Sequence, residues 1–344
     1  MKFSNTYILY PDNRALERAV ANSLGMLSEE LVEAATPDTQ VTTADNFLHT
    51  RGNFEQRSFS TNIFESMREA LEAALTDEYR TQDAASWAAK QNSLGNILAG
   101  LGQQQRDEAS YEKAIQCFKN ALEEFNQDES SLEWAATQYN LGTACQALGR
   151  MLDDAKPLKN AIDAYTNALL VWTRDESPED WMFTMHQLGA TFHTYGKLLK
   201  GNRNFQKSVV AYKNALAVLD ADNYPLELTA THNNRAAVLH HLGESEENPE
   251  RLIEAIKSYE KALTVCMEQQ RPFHLAVIIR VNKATAQNVL AEITSDAVLA
   301  EEVADEFELI TECFPYALQP LCLKHCEDQM SKAKSLALSN SDSG

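Results

Sequence analysis

Two groups of side chains in this sequence have types and spacings that could do chemistry. Six of the eight histidines fall between His186 and His274, and His193 and His240 stand 47 residues apart, as do His186 and Asn233. Imidazoles gathered in this way could hold a metal or sense protons. The spacing sets no carboxylate or thiol beside them, so buried or solvated histidines are the expected reading and no metal is assigned. The second group is "CLKHC", Cys322 to Cys326, with Cys313 upstream, which could offer thiolates and His325 to zinc. It lacks the paired C-x2-C of a zinc knuckle, and on a helix Cys322 and Cys326 form a single apolar stripe. The chain has no G-x-S-x-G, P-loop, H-E-x-x-H or glycine-rich turn after a strand. The expectation is therefore a protein that is not an enzyme and carries no cofactor.

What positions the histidines is a repeat. "SWAAKQNSLG" at Ser86, "EWAATQYNLG" at Glu133 and "DWMFTMHQLG" at Asp180 place Trp87, Trp134 and Trp181 at 134 − 87 = 181 − 134 = 47 residues. Each begins a first helix whose Trp and Leu (Leu94, Leu141, Leu188) are expected in the core. Gly95, Gly142 and Gly189 are expected to admit a partner helix, and Gly102, Gly149, Gly196 and Gly243 to end the helix in a left-handed cap. Pro178, Pro225 and Pro272 mark first turns, and "SSLE" and "SPED" read as caps. The second helices are "YEKAIQCFKNAL", "LKNAIDAYTNAL", "FQKSVVAYKNAL" and "LIEAIKSYEKAL". They are amphipathic at i, i+4, i+7 and i+11, with small residues for close approach and Phe118, Tyr165, Tyr212 and Tyr259 between them.

The A-x3-[FY]-x2-A pattern of the second helix and the Leu-Gly of the first resemble the tetratricopeptide repeat. The usual period of that repeat is about 34 residues, so this sequence is similar to its long-repeat bacterial type. The resemblance implies an all-α fold: a right-handed α-solenoid of antiparallel helix pairs. Four repeats are expected at 81–127, 128–174, 175–221 and 222–268, with a divergent repeat at 39–80 and a degenerate one at 269–315. A helical segment at 1–38, a capping helix from about Leu318 to Leu338, and a disordered "SNSDSG" tail within 316–344 complete the expected organisation.

The same resemblance implies that one face of the first helices lines a concave groove. Positions turned roughly 140 to 200° from Leu94 read Asn92, Tyr139, His186, Asn233 and Arg280, with Gln146, His193, His240 and Gln287 two turns on and Asn96 between. They are expected to face away from the core and to bind an extended peptide through its amides. There is no lysine ladder of the kind that clamps acidic C-termini. The alternative is a ligand-responsive regulator in which a small peptide or metabolite changes the superhelix.

With 44% apolar residues the chain can build a core, and a formal charge of −20 disfavours nucleic acid or an anionic membrane. The partner is expected to be a protein or peptide, with a basic surface. The acidic run Glu301, Glu302, Asp305, Glu306, Glu308 and Glu312 would suit one. No apolar run approaches the roughly 20 residues of a membrane span, and "TYILY" is short for a signal peptide. A cytoplasmic protein with reduced thiols is the expectation.

Overall fold

A computed structural model describes residues 54–269, 273–314 and 320–341. The readings made for 1–53 and for Pro272 lie outside them. Every element among the described residues is a helix, and there are thirteen. Helices α1 (Phe54–Ala74) and α2 (Asp77–Gln82) precede two pairs, α3 (Ala84–Gln105) with α4 (Glu108–Glu124) and α5 (Ser131–Leu152) with α6 (Ala155–Ala168), after which come α7 (Pro178–Leu199) and α8 (Asn202–Leu216). Two further pairs, α9 (Pro225–Ser245) with α10 (Pro249–Glu268) and α11 (Phe273–Thr294) with α12 (Ala297–Cys313), lead to α13 (Pro320–Ser341). The helix therefore continues through Ser339 to Ser341, where a disordered tail was expected. Pro178 and Pro225 open α7 and α9, where a missing N–H costs nothing.

The helices form two compact units, α1–α7 and α8–α13. Within each, packing follows chain order. In the N-terminal unit α4 packs between α3 and α5, α6 between α5 and α7, and successive first helices also touch, α3 with α5 and α5 with α7. The C-terminal unit repeats the scheme: α10 lies between α9 and α11, α12 between α11 and α13, with α9 touching α11 and α11 touching α13. This serial stacking of antiparallel pairs is the α-solenoid arrangement.

The sharp turn from first to second helix is made differently from the sequence reading. No described glycine has a positive φ. The left-handed residues are Arg106, Asp153, Lys200, Glu247 and Ser295, with φ of 48 to 56°. Each is followed at once by the residue that caps the next helix, and Asp107, Asp154, Asn248 and Asp296 accept backbone N–H bonds through their side chains. The cap residue's own N–H closes back on the first helix, Asp107 to the Gly102 carbonyl at 3.0 Å and Asp154 to that of Gly149 at 3.0 Å. These glycines thus sit inside the helix, where the next helix lies on their bare Cα. A Cβ on Gly149 would fall 2.7 Å from Leu158 Cγ, and one on Gly243 2.7 Å from Leu252 Cγ. At the other turn, Ser130 sits at the N-cap of α5 without a side-chain cap bond. It instead accepts from the Asn126 N–H at 2.9 Å.

The core runs between paired helices. Ala114, Cys117 and Phe118 of α4 pack with Leu94, Ile97 and Leu98 of α3, and Ala255, Tyr259 and Ala262 of α10 pack with Ala236 and Leu239 of α9. The tryptophan ladder is uneven. Trp87 is buried against Ala121 and Phe125 with the Arg80 guanidinium 4.4 Å above its ring, while Trp134 and Trp181 are half-buried.

Candidate functional site

The first-helix ladder does not face away from the core. Asn96, Tyr139, Gln146, His186, His193, Asn233 and His240 are buried, and only Asn92, Arg280 and Gln287 of the ladder are half-exposed. Their chemistry explains why: the polar groups tie helices to one another. Asn140 Nδ2 donates to Asn92 Oδ1 at 3.1 Å, joining α5 to α3. Gln146 Nε2 donates to Thr191 Oγ1 at 2.9 Å, joining α5 to α7, and its Oε1 accepts from the Tyr165 hydroxyl of α6 at 3.3 Å. In the C-terminal unit Asn282 Nδ2 donates to Asn233 Oδ1 at 2.9 Å, joining α11 to α9. Asn288 Nδ2 donates to Gln329 Oε1 at 2.8 Å and Thr285 Oγ1 lies 3.0 Å from His325 Nε2, joining α11 to α13. A buried amide must find such a partner or lose about 1–3 kcal/mol, and in a solenoid the neighbouring first helix is the element within reach.

Two ladder members are held in other ways. Tyr139 packs edge-on to Tyr165, centroids 5.5 Å apart, and lies 5.7 Å from Trp172. Arg280 forms a bidentate pair with Glu306 of α12, at 2.8 and 2.9 Å, and sits 5.9 Å from the Phe314 ring. Burial pushes the Glu306 carboxyl up, but the Arg280 hydrogen bond and charge outweigh it and hold that carboxyl below its usual range. Glu306 thus leaves the acidic run to serve as a tie.

The histidines are dry. Burial lowers His186 to about 4; burial and the Lys197 charge lower His193 to about 3; and burial with the charge of His325 lowers His240 to about 3. Neutral, enclosed imidazoles of this kind are neither poised acid–base groups nor exposed ligands. Among the described residues no three His, Cys, Asp or Glu side chains converge to hold a metal. Three buried thiols are equally quiet. Burial pushes Cys117 and Cys145 up to about 12. A hydrogen bond with Cys322, and then burial, raises Cys326. None is a reactive thiolate.

Among the partners of these ties, Asn140, Thr191, Asn282 and Thr285 were not singled out from the sequence, while Tyr165 had been read only as a space-filling aromatic and His325 only with the nearby cysteines. The available signal was the pairing of amide and hydroxyl residues on equivalent turns of successive first helices. Of the acidic run, Glu301, Glu302, Asp305 and Glu312 are exposed on α12.

Neither the models of known protein families nor the curated proteins contain a match to this sequence. Among solved structures, the crystal structure of MamA is similar at a TM-score of 0.42 and 15% identity, over 64% of this chain and 98% of that one. The C-terminal part of a TPR repeat-containing protein from Cytophaga hutchinsonii is similar at a TM-score of 0.33 and 13% identity, over 79% of this chain and 99% of that one. At these levels the likeness carries no more than the helices themselves already show. No helix among the described residues is long and apolar enough to cross a membrane.

Proposed function

We propose that this chain is a non-enzymatic, cytoplasmic scaffold of lengthened tetratricopeptide-like repeats that binds a protein or peptide segment along its first helices. The observation that supports this reading is the serial stacking of helix pairs. Within each unit such stacking lines up equivalent positions of successive first helices. Because most of the ladder is buried, recognition is assigned to its half-exposed members, above all Gln287 and Asn92, the latter also tied to Asn140, rather than to the buried ones. The net charge of −20 favours a partner with a basic surface. No observation among the described residues favours the ligand-responsive alternative.

Site-specific photo-crosslinkers at positions 92 and 287, compared with one at exposed Gln116 on the second helix α4, test the placement. Positions 92 and 287 are each expected to capture a partner, less efficiently as salt rises, and position 116 to capture none. Crosslinking confined to position 116 would move recognition to the outer helices.

A further inference from the structure

One buried layer occurs in two chemical versions, and the difference assigns a property to the C-terminal unit. In the N-terminal unit the layer is Gln146, Tyr165 and Thr191. Gln146 serves both neighbours, accepting from the Tyr165 hydroxyl and donating to Thr191 Oγ1, whose own proton goes to the Gln187 carbonyl at 2.8 Å. Tyr165 also lies 3.2 Å from Thr143 Oγ1. Two repeats later the corresponding residues are His240, Tyr259 and Thr285, with Val281 in place of Gln187 and Ala237 in place of Thr143. The backbone register is preserved, because Thr285 Oγ1 again donates to the carbonyl four residues earlier, that of Val281, at 2.8 Å.

The side-chain ties are not preserved. Both ring nitrogens of His240 and the hydroxyl of Tyr259 are buried without a hydrogen-bond partner. Thr285, having given its proton to Val281, accepts from His325 Nε2 of α13 instead. An imidazole is shorter than a glutamine and cannot bridge both neighbours, and Ala237 removes the second hydroxyl that would have met the tyrosine. His240 has His241 beside it on α9, with ring centroids 6.1 Å apart, and feels the charge of His325 on α13; Tyr259 on α10 stands at the position that Tyr165 holds beside Gln146, and α11 presents the uncharged Thr285. His325 in turn feels Asp328 and Lys332 and is itself shifted down, chiefly by burial. Among the described residues no carboxylate is set against His240.

We propose that this layer is an acid-sensitive seam of the C-terminal unit: where Gln146 closes the layer in the N-terminal unit, His240 leaves imidazole and phenol unbonded, and a proton favours the open form. Opening exposes the imidazole to water, where it takes up a proton readily. Closure requires that proton to leave, because a charged ring would have neither water nor a counter-charge. Acid therefore populates the open layer between α9, α10 and α11, as linkage demands of a group that binds protons better in the open state.

The test exchanges the two chemistries. Hydrogen exchange read by mass spectrometry on the full-length protein gives protection factors, corrected for intrinsic rates, at pH 7.5 and 5.0. In the wild-type protein, α9 and α11 are expected to lose at least tenfold protection over this interval. His240→Gln, which can bond both Tyr259 and Thr285, is expected to remove most of that loss. Gln146→His is expected to enlarge the loss in α5 at least tenfold beyond what the wild-type helix shows over the same interval. Wild-type α9 and α11 whose protection is independent of pH would overturn the proposal. So would a His240→Gln protein that keeps the full pH dependence, since another histidine of the unit would then be responsible. If His240→Gln does not fold, the reciprocal Gln146→His protein decides alone: an unchanged pH dependence in α5 rejects the mechanism.

Discussion

Gly95 lies on α3 beneath the Phe118 ring of α4. A Cβ built there falls 2.6 Å from Phe118 Cε1, 2.8 Å from Cζ and 2.9 Å from Cδ1, where ordinary contact begins at 3.4 Å. Gly95→Ala therefore asks the ring to retreat by roughly 0.8 Å, in a core packed as densely as a crystal. Phe118 is 1% exposed, among Leu94, Ile97, Leu98 and Ala114, so it has no free direction in which to move. Overpacking of this kind costs about 1–3 kcal/mol, offset by the roughly 1 kcal/mol that alanine gains over glycine inside a helix. The expected net effect is a loss of up to about 2 kcal/mol, read as a lower urea midpoint at unchanged slope in circular dichroism at 222 nm. In a Phe118→Leu background the ring is gone, and the same Gly95→Ala change should become neutral or stabilising. A wild-type background in which Gly95→Ala raises the midpoint would show that α3 and α4 do not approach as closely as described.

Tyr139→Ala should cost about 3–5 kcal/mol, because it removes a ring packed on Tyr165 and Trp172; an unchanged melting curve would place Tyr139 in solvent. Glu247 holds a left-handed φ of 48°, so Glu247→Gly should stabilise the protein by about 0.5–1 kcal/mol, and chemical denaturation showing a loss would mean that the side chain holds the turn. His186 and His193 have folded values of about 4 and 3 against 6.5 for the free side chain. The unfolded chain therefore binds more protons throughout that window, and the stability present above pH 6.5 should be lost progressively as pH falls toward 4. Thermal melts of His193→Gln should lose part of this slope; a melting temperature flat from pH 7.5 to 4.5 in the wild-type protein would contradict the burial of both rings.

Some parts of this architecture were legible in the sequence for a definite reason. Gly95 and Gly142 announced close helix approach because a bare Cα in a good helix otherwise only loses stability. Their partners Phe118 and Tyr165 stood at matching positions of the second helix, and the rings indeed cover those glycines. The ladder was misjudged because polarity reports a need for hydrogen bonds and not for water. A first helix in a stacked array is enclosed by its paired helix and by the first helices on either side, so a polar face can be wholly interior. Asn233, Asn282 and Gln146 look like solvent-facing residues in one dimension and are helix ties in three. The left-handed turns were missed because glycine was sought four residues too early, although Asp107, Asp154, Asn248 and Asp296 already marked the following caps.

Those turns also constrain how the chain can tolerate changes in length. Between a first helix and its partner, the left-handed residue and the cap share a hydrogen-bonded closure onto a carbonyl five residues back, as Asp107 does onto Gly102 and Asn248 onto Gly243. One added residue would pull the cap out of reach and rotate the second helix by about 100°, turning its apolar stripe away from the glycines. The connections from each second helix onward, 125–130, 169–177 and 217–224, are six, nine and eight residues long against two at 106–107 and 153–154. Insertions, tags and engineered loops should be accepted there and rejected at 106–107, 153–154 and 247–248, so the array has a built-in polarity of sites at which it can be edited.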